Sequence, residues 1–147
     1  MKKTLLLALA VLSPQVFAAD VDLECKEIGM GLEYKFIRLK DPVDDIGSAY
    51  FFSVFFDENG NFSSYTDRSY HRRAHWRDTE ILIEVDFSLL GSIDRQTLKF
   101  KGLYPYPTTE YDCEIADNHD EKRQRWKKEA DDAKKARSEA KKAKNVI

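Results

Sequence analysis

Apolar and polar residues alternate from about residue 20 to residue 115 with the period of two that is typical of half-buried β-strands. The two clearest runs place apolar residues at Val21, Leu23 and Cys25 and at Ile81, Ile83, Val85 and Phe87. The run over residues 49–56 is apolar on both faces apart from Ser53, so we expect a strand that is covered on both sides. The body of the chain is therefore predicted to be β throughout.

Turn-forming residues separate these runs. Asn59-Gly60 between two strand-like runs is the strongest short-range signal for a β-hairpin. Further turns are predicted over residues 41–47 and at Gly91-Ser92. The apolar phase changes between Phe36 and Ile37, which predicts a β-bulge near Phe36. In the later strands, the residues expected to point inward are Leu98, Phe100, Tyr111, Cys113 and Ile115.

Seven or eight short strands at regular spacing, with no long helix between them, are typical of an antiparallel meander. We predict a mainly β domain over residues 19–117 that forms a small antiparallel meander barrel, with a β-sandwich as the alternative. Cys25 and Cys113 lie on the inward faces of the first and last strands. A bond between them would fasten the two ends of the sheet, as closure of a barrel requires.

The two cysteines are expected to form a structural disulfide. Two cysteines in an oxidising compartment usually bond to each other. Cys25 and Cys113 lack the Cys-x-x-Cys spacing that is typical of a redox-active pair. The bond would close a loop of about 89 residues, which the chain-entropy model credits with roughly 4–5 kcal/mol at most.

The first eighteen residues have the layout of a bacterial secretory signal peptide. Lys2 and Lys3 precede an apolar run over residues 4–12, and Val16 and Ala18 stand at positions minus three and minus one before the predicted cut. The apolar run is too short to span a bilayer, and no second such run follows it. We therefore expect a periplasmic or secreted protein that does not span the membrane.

Residues 118–147 differ from the rest in composition, being rich in Ala, Lys, Arg, Glu and Asp without Gly or Pro. This composition has high helix propensity, and Asn118 provides a cap, so we predict a charged C-terminal α-helix. The residues predicted to make helix contacts are Trp126, Ala130, Ala133 and Ala140. Alanine buries little area, so two readings stay open: a solvated helix, or a helix that docks on a partner or on a second copy.

Charge is distributed unevenly along the chain. Residues 20–120 contain 11 Lys and Arg against 21 Asp and Glu, or about −10, whereas residues 121–147 contain 11 against 5, or about +6. An acidic body repels phosphates, which argues against nucleic acid as the partner. It suits a cationic protein or a basic ligand instead.

Residues 70–77 concentrate positive charge beside aromatic rings. On a strand, His71, Arg73, His75 and Arg77 would share one face, with Tyr70, Arg72 and Trp76 on the other. This pattern is suited to binding a carboxylate, a sulfate or a phosphate. The alternative is an outer face whose arginines pair with the body's own carboxylates. His71 and His75 would lie about 13 Å apart on a strand, too far to share a metal ion, so no metal site is predicted.

The loop over residues 102–108 contributes two further candidate contact residues, Tyr104 and Tyr106, because exposed rings beside rigid prolines often bind partners. The alternative is a connection whose tyrosines fold back over an open barrel end. No nucleophile elbow, phosphate-binding glycine loop or calcium loop occurs in the chain. We therefore expect neither an enzyme nor a cofactor.

The sequence favours a non-catalytic binding protein of the envelope or the extracellular space. Its partner is not specified by any motif. One alternative is an inhibitor of a cationic enzyme such as a lysozyme, because the chain resembles the small periplasmic barrels that inhibit lysozymes in size, expected location and cysteine content. A second alternative is a carrier of a small amphipathic ligand, which predicts a cavity lined by Phe and Tyr.

Overall fold

The computed structural model describes residues 20–43, 46–103 and 108–144, without the side chains at 41–43 and 68–71. In these ranges eight β-strands precede one α-helix. The elements are β1 (Val21–Glu27), β2 (Glu33–Val43), β3 (Ile46–Phe56), β4 (Phe62–Trp76), β5 (Glu80–Val85), β6 (Ser88–Asp94), β7 (Lys99–Gly102), β8 (Thr109–Ile115) and α1 (His119–Lys144).

The eight strands form a closed antiparallel barrel. Each strand pairs with the next one in sequence, and β8 returns to pair with β1. Cys25 lies opposite Cys113 in this closing pair, and the two are joined by a disulfide. The predicted meander barrel, its disulfide and the C-terminal helix are therefore confirmed, and the sheet does not split into a sandwich.

Apolar side chains from all eight strands fill the barrel interior, as is usual for a barrel of this strand number. The largest fully buried ones among them are Leu23, Ile37, Leu39, Ile81, Ile83 and Ile93. Burying one such side chain stabilises the fold by roughly 1.5–3 kcal/mol. The interior thus supplies the main apolar core.

A second apolar cluster lies on the outer face of β2, β3 and β4, beneath α1. Phe36, Phe52 and Val54 are buried there. The pairing of β1 with β2 is continuous through Phe36, so the bulge predicted near that residue is wrong. Phe36 faces the helix and Ile37 faces the interior, and both are buried because the sheet is covered on both sides. The prediction that residues 49–56 are covered on both faces is confirmed for the same reason.

Several predicted turns differ from the observed ones. Residues 41–43 continue β2 and residues 46–47 begin β3, with Val43 opposite Ile46, so the predicted loop is wrong at these positions. Asp44 and Asp45 lie outside the described residues. Gly91 and Ser92 lie within β6 rather than in a turn. The hairpin over Asp57–Asn61 is confirmed, since the Asp57 carboxylate accepts the backbone N–H groups of Asn59 and Asn61 at 2.9 and 2.8 Å.

Two residues predicted to point inward are exposed instead. Phe87 is 92% exposed because it and Asp86 form the turn between β5 and β6, both with positive φ, at 64° and 48°. Ile115 is exposed because it ends β8, where the barrel no longer covers it. Strand periodicity does not reveal where a strand stops, so both errors occur at strand ends.

Gly91 has a packing role. A Cβ atom at this position would lie 2.6 Å from a ring carbon of Phe100 and 2.6 Å from the carbonyl oxygen of Lys101. We expect Gly91→Ala to lower the free energy of unfolding by about 2–3 kcal/mol through overpacking, measured by urea denaturation. Gly102→Ala is the matched control, because the nearest atom there lies at 3.6 Å. Equal effects of the two substitutions would contradict this explanation.

Ion pairs and one aromatic residue fasten α1 to the barrel. Lys122 pairs with Glu24 of β1, Arg123 pairs with Asp67 of β4 at 2.7 Å, and Asp120 pairs with Arg38 of β2 at 2.9 Å. The Trp126 ring stacks on Phe62 with ring centroids 5.8 Å apart and meets the Phe56 ring edge-on at 5.7 Å. The helix therefore docks on its own barrel through its first two turns.

Candidate functional site

The basic segment 70–77 does not form one continuous surface, because strand alternation sends its side chains to opposite faces of β4. Arg72 and Trp76 point into the barrel and are buried. The Arg72 guanidinium carbon lies 4.5 Å from the centroid of the Phe51 ring, and Arg72 is only 4% exposed. The predicted alternation of faces holds for these residues, but it places Arg72 and Trp76 in the core.

The outward side chains of this segment contact other parts of the barrel. His75 Nε2 lies 2.8 Å from a carboxylate oxygen of Glu84, and Arg77 lies 3.7 Å from Glu80. The Arg73 guanidinium lies 5.9 Å from the Phe87 ring centroid. These contacts favour the alternative of a self-paired outer face over an anion site. The side chains of Tyr70 and His71 lie outside the described residues, as do Tyr104 and Tyr106.

The four helix residues predicted to make contacts have different surroundings in the structure. Trp126 packs on the barrel, and Ala130 and Ala133 are half-buried beside β4. Ala140 is exposed. Trp126 therefore contributes to the docking of α1 on the barrel, Ala130 and Ala133 line a groove beside β4, and Ala140 lies beyond the docked part.

A groove lies between α1 and the barrel. We call it the aromatic groove: it has a volume of about 440 Å³ and runs from the β1–β2 connection to the β3–β4 hairpin. Its aromatic lining consists of Tyr34, Phe36, Phe56 and Trp126. Grooves of this size with aromatic walls and a few polar groups are typical of binding sites.

The rim of the aromatic groove carries charges of both signs. Glu24 and Lys122 form an ion pair on one side. The Arg125 guanidinium lies 5.0 Å from the Trp126 ring centroid, and Glu58 of the β3–β4 hairpin is exposed and also lines the groove. Arg125 and Glu58 have no ion-pair partner among the described side chains at salt-bridge distance. Both are therefore available to orient a bound group.

An ionic network holds the start of α1 in place. Arg38 donates to both carboxylate oxygens of Asp22, at 2.7 and 2.8 Å, and also to Asp120. These carboxylates raise the pKa of Arg38 above its ordinary value. Tyr65 donates a 3.0 Å hydrogen bond to Asp67, and burial together with this carboxylate raises the pKa of Tyr65 to about 12. The network fixes the helix relative to the groove.

His119, the first residue of α1, is buried at 6% exposure with its ring edge-on to Phe52, the ring centroids 5.0 Å apart. Burial lowers the pKa of His119; the Asp22 carboxylate opposes this effect and Arg38 supports it. The unfolded chain therefore binds a proton at a higher pH than the folded protein does. Stability associated with the neutral ring is present above the ordinary histidine pKa of about 6.5 and is lost as the pH falls below it.

We expect the urea midpoint to fall between pH 7 and pH 5, and to fall less in His119→Gln. Urea denaturation of both proteins at the two pH values measures this difference. The pKa of Glu33 is lowered by Lys35, Tyr111 and Ser53 and not by His119, so its titration cancels in the comparison. The same pH dependence in both proteins would rule out His119 as its source.

A polar network occupies the interior near the β1–β2 end of the barrel. Glu33 accepts hydrogen bonds from Lys35 at 2.8 Å and from the Tyr111 hydroxyl at 2.6 Å, and Lys35 Nζ lies 3.2 Å from Ser53 Oγ. Burial opposes ionisation of Glu33, but Lys35 and these hydrogen bonds hold its pKa below the ordinary value. Burial and the Glu33 carboxylate raise the pKa of Tyr111. The buried polar groups thus satisfy one another.

Sequence reasoning missed both the aromatic groove and this network. In β2, Glu33 and Lys35 point inward and the aromatic residues Tyr34 and Phe36 point outward toward the helix. Two signals were present. The apolar residues of the second run occupy both faces, and Trp126 is a large apolar residue in an otherwise charged helix.

Comparison with protein-family models, with curated proteins and with solved structures found no match. No group of three or more His, Cys, Asp or Glu in the described ranges is arranged to hold a metal ion. Among the described residues, no helix is both long enough and apolar enough to cross a membrane.

Proposed function

We propose that this protein is a non-catalytic binding protein of an exported compartment that holds a partner protein in the aromatic groove. The observation that carries the proposal is the composition of the groove: four aromatic rings line it, and unpaired charges of both signs stand on its rim. Aromatic residues with a polar rim are enriched where proteins bind one another. The Cys25–Cys113 disulfide supports an oxidising compartment, such as the periplasm or the extracellular space.

The proposal assigns different tasks to the barrel and the helix. The barrel supplies a rigid wall through Tyr34, Phe36 and Phe56, and α1 supplies the facing wall through Trp126. Because both walls are held by the ion pairs around Arg38 and Arg123, the groove is formed before a partner binds. A preformed groove lowers the entropy cost of binding.

A charge exchange on the rim tests this function. The variant Glu58→Lys/Arg125→Glu keeps the net charge and leaves the docking residues of α1 unchanged. Lys127→Glu/Glu129→Lys is the matched control on exposed helix positions outside the groove. In a crosslinking pull-down from an envelope fraction, followed by a binding measurement with the purified partner, we expect the rim variant to lose the partner and the control to keep it.

Equal binding by the rim variant and the wild type would contradict a site in the aromatic groove. Truncation after Asp120 is a less specific test. It removes Trp126 and uncovers Phe36 and Phe52, so it alters the fold of the outer face as well as the groove.

The acidic charge of the body, about −10 over residues 20–120, favours inhibition of a cationic enzyme such as a lysozyme as the second candidate. Addition of excess protein to a basic lysozyme should then slow the clearance of cell walls. Undiminished clearance would remove this candidate. The carrier alternative stays a prediction that a co-purifying mass in native mass spectrometry would support.

A further inference from the structure

The N-terminal part of β4 offers an open strand edge. β3 pairs with β4 from Phe62 to His75, whereas β5 pairs only with residues 73–76. Along residues 62–67 the other edge of β4 therefore has no neighbouring strand among the described residues. The sequence Phe-Ser-Ser-Tyr-Thr-Asp at this edge contains neither Lys nor Pro, which natural proteins commonly use to protect exposed edges.

The open edge forms one wall of a second groove, the edge groove, whose other wall is α1. It has a volume of about 500 Å³ and lies on the β4 side of the helix, beyond the aromatic groove. Residues 62–65 of β4 line it, together with Ala130, Ala133 and Arg137 of the helix. Arg137 reaches across it, with Nη2 3.4 Å from the Ser63 carbonyl oxygen. The small alanine side chains leave room beside the strand.

The helical wall of the edge groove is strongly basic. Residues 134–144 contain six Lys and Arg and one Glu. Lys134, Arg137 and Lys141 line the groove, and positions 137 and 141 are about 6 Å apart along a helix. Alternate residues of a β-strand, which point to the same face, are about 6.6 Å apart. The spacing of acidic side chains at alternate positions of an added strand is therefore close to that of positions 137 and 141.

We propose that an extended acidic segment of a partner protein binds in the edge groove as an additional strand beside β4. Its backbone pairs with residues 62–67, which gives affinity without demanding a particular sequence. Its carboxylates pair with Lys134, Arg137 and Lys141, which selects acidic over basic segments. This inference goes beyond the proposed function, because the edge groove and the aromatic groove are separate surfaces.

Peptide binding tests the charge requirement. The probe is an eight-residue peptide of alternating Thr and Glu, and the reference peptide alternates Thr and Lys. We expect the acidic peptide to bind at least tenfold more tightly than the basic one at low ionic strength. Arg137→Glu/Lys141→Glu should weaken its binding at least tenfold. Lys135→Glu/Lys142→Glu makes the same change of charge outside the groove and should alter binding less than twofold.

N-methylation of the peptide tests the backbone pairing. In strand addition only alternate N–H groups of the peptide face β4, so methylation of one alternate set should abolish binding and methylation of the other should not. Bound peptide should also slow amide exchange at residues 62–67. The proposal would be overturned if methylation of either alternate set of N–H groups weakened binding equally. It would also be overturned if Arg137→Glu/Lys141→Glu bound the acidic peptide as tightly as the wild type does.

Two further outcomes separate this proposal from its alternatives. A dimer that forms through β4 and excludes the peptide would overturn it, since a second copy would then occupy the edge. Glu58→Lys/Arg125→Glu should bind the acidic peptide as the wild type does. If the aromatic groove binds no partner, the edge groove can still bind the acidic peptide. If the edge groove does not bind the peptide, the aromatic groove can still bind a partner.

Discussion

Replacement of both cysteines, Cys25→Ala/Cys113→Ala, should lower the free energy of unfolding by up to about 4–5 kcal/mol. The disulfide joins residues 88 positions apart and lies in the β1–β8 pair that closes the barrel. Without it, the unfolded chain gains conformational entropy, and the closing pair depends on its backbone hydrogen bonds and on apolar burial. Urea denaturation of the variant and the wild type measures the loss.

The dependence of unfolding on urea also tests the mechanism. The uncrosslinked unfolded chain exposes more surface, so the slope of the free energy against urea should increase in the variant. Reduction of the wild-type protein provides a control that leaves the sequence unchanged and should shift the midpoint in the same direction. A loss below about 1 kcal/mol would show that closure of the barrel does not depend on the covalent bond.

Trp126→Ala should lower the free energy of unfolding by about 2–3 kcal/mol and release α1 from the barrel. Truncation of a buried Trp costs about 3–5 kcal/mol, and Trp126 is half-buried, so a smaller value is expected. Its ring packs between Phe56 and Phe62, and the outer apolar cluster loses its cover when that ring is removed. Urea denaturation and the helical signal in circular dichroism measure the two effects.

Two control variants separate the docking of α1 from its intrinsic helix propensity. Trp126→Phe keeps an aromatic ring in the stack and should cost less than about 1.5 kcal/mol. Ala140→Gly lies in the exposed part of the helix and should reduce stability by no more than its helix-propensity cost of about 1 kcal/mol. If Trp126→Ala has no larger effect than Ala140→Gly, the helix is not held by the aromatic stack.

The Cys25–Cys113 disulfide and the packing of Trp126 connect the stability of the protein with its proposed function. The disulfide lies in the strand pair that closes the barrel, and Trp126 packs against the outer face of the sheet. Both the aromatic groove and the edge groove require α1 to lie along the sheet. We therefore expect Trp126→Ala to weaken binding at both grooves, whereas the rim variant at Glu58 and Arg125 affects only one.

Local patterns in the sequence were sufficient for the class of fold. Period-two alternation depends on contacts between neighbouring residues and one buried face, so it identified strands such as β1 and β5. The matched inward positions of Cys25 and Cys113 predicted the closing bond. The charge and alanine content of residues 118–147 predicted the helix. These features required no knowledge of which distant segments meet.

Only the tertiary structure shows that α1 covers the outer face of β2, β3 and β4. Residues 34 and 126 of the aromatic groove are far apart in sequence, and nothing in either segment states that α1 folds back over β2, β3 and β4. For that reason the burial of Phe36 was misread as a bulge, and Glu33 and Lys35 were not recognised as inward-facing.

The sequence by itself determined the β class, the disulfide and the presence of a charged helix, because each depends on residue spacing or composition. The tertiary structure decided which face Phe36 occupies, why Arg72 is buried, and where β4 is left without a neighbour. The physical reason is that these properties depend on pairing lengths and on the docking of α1. Both result from the sum of many weak contacts between segments that are distant in the chain.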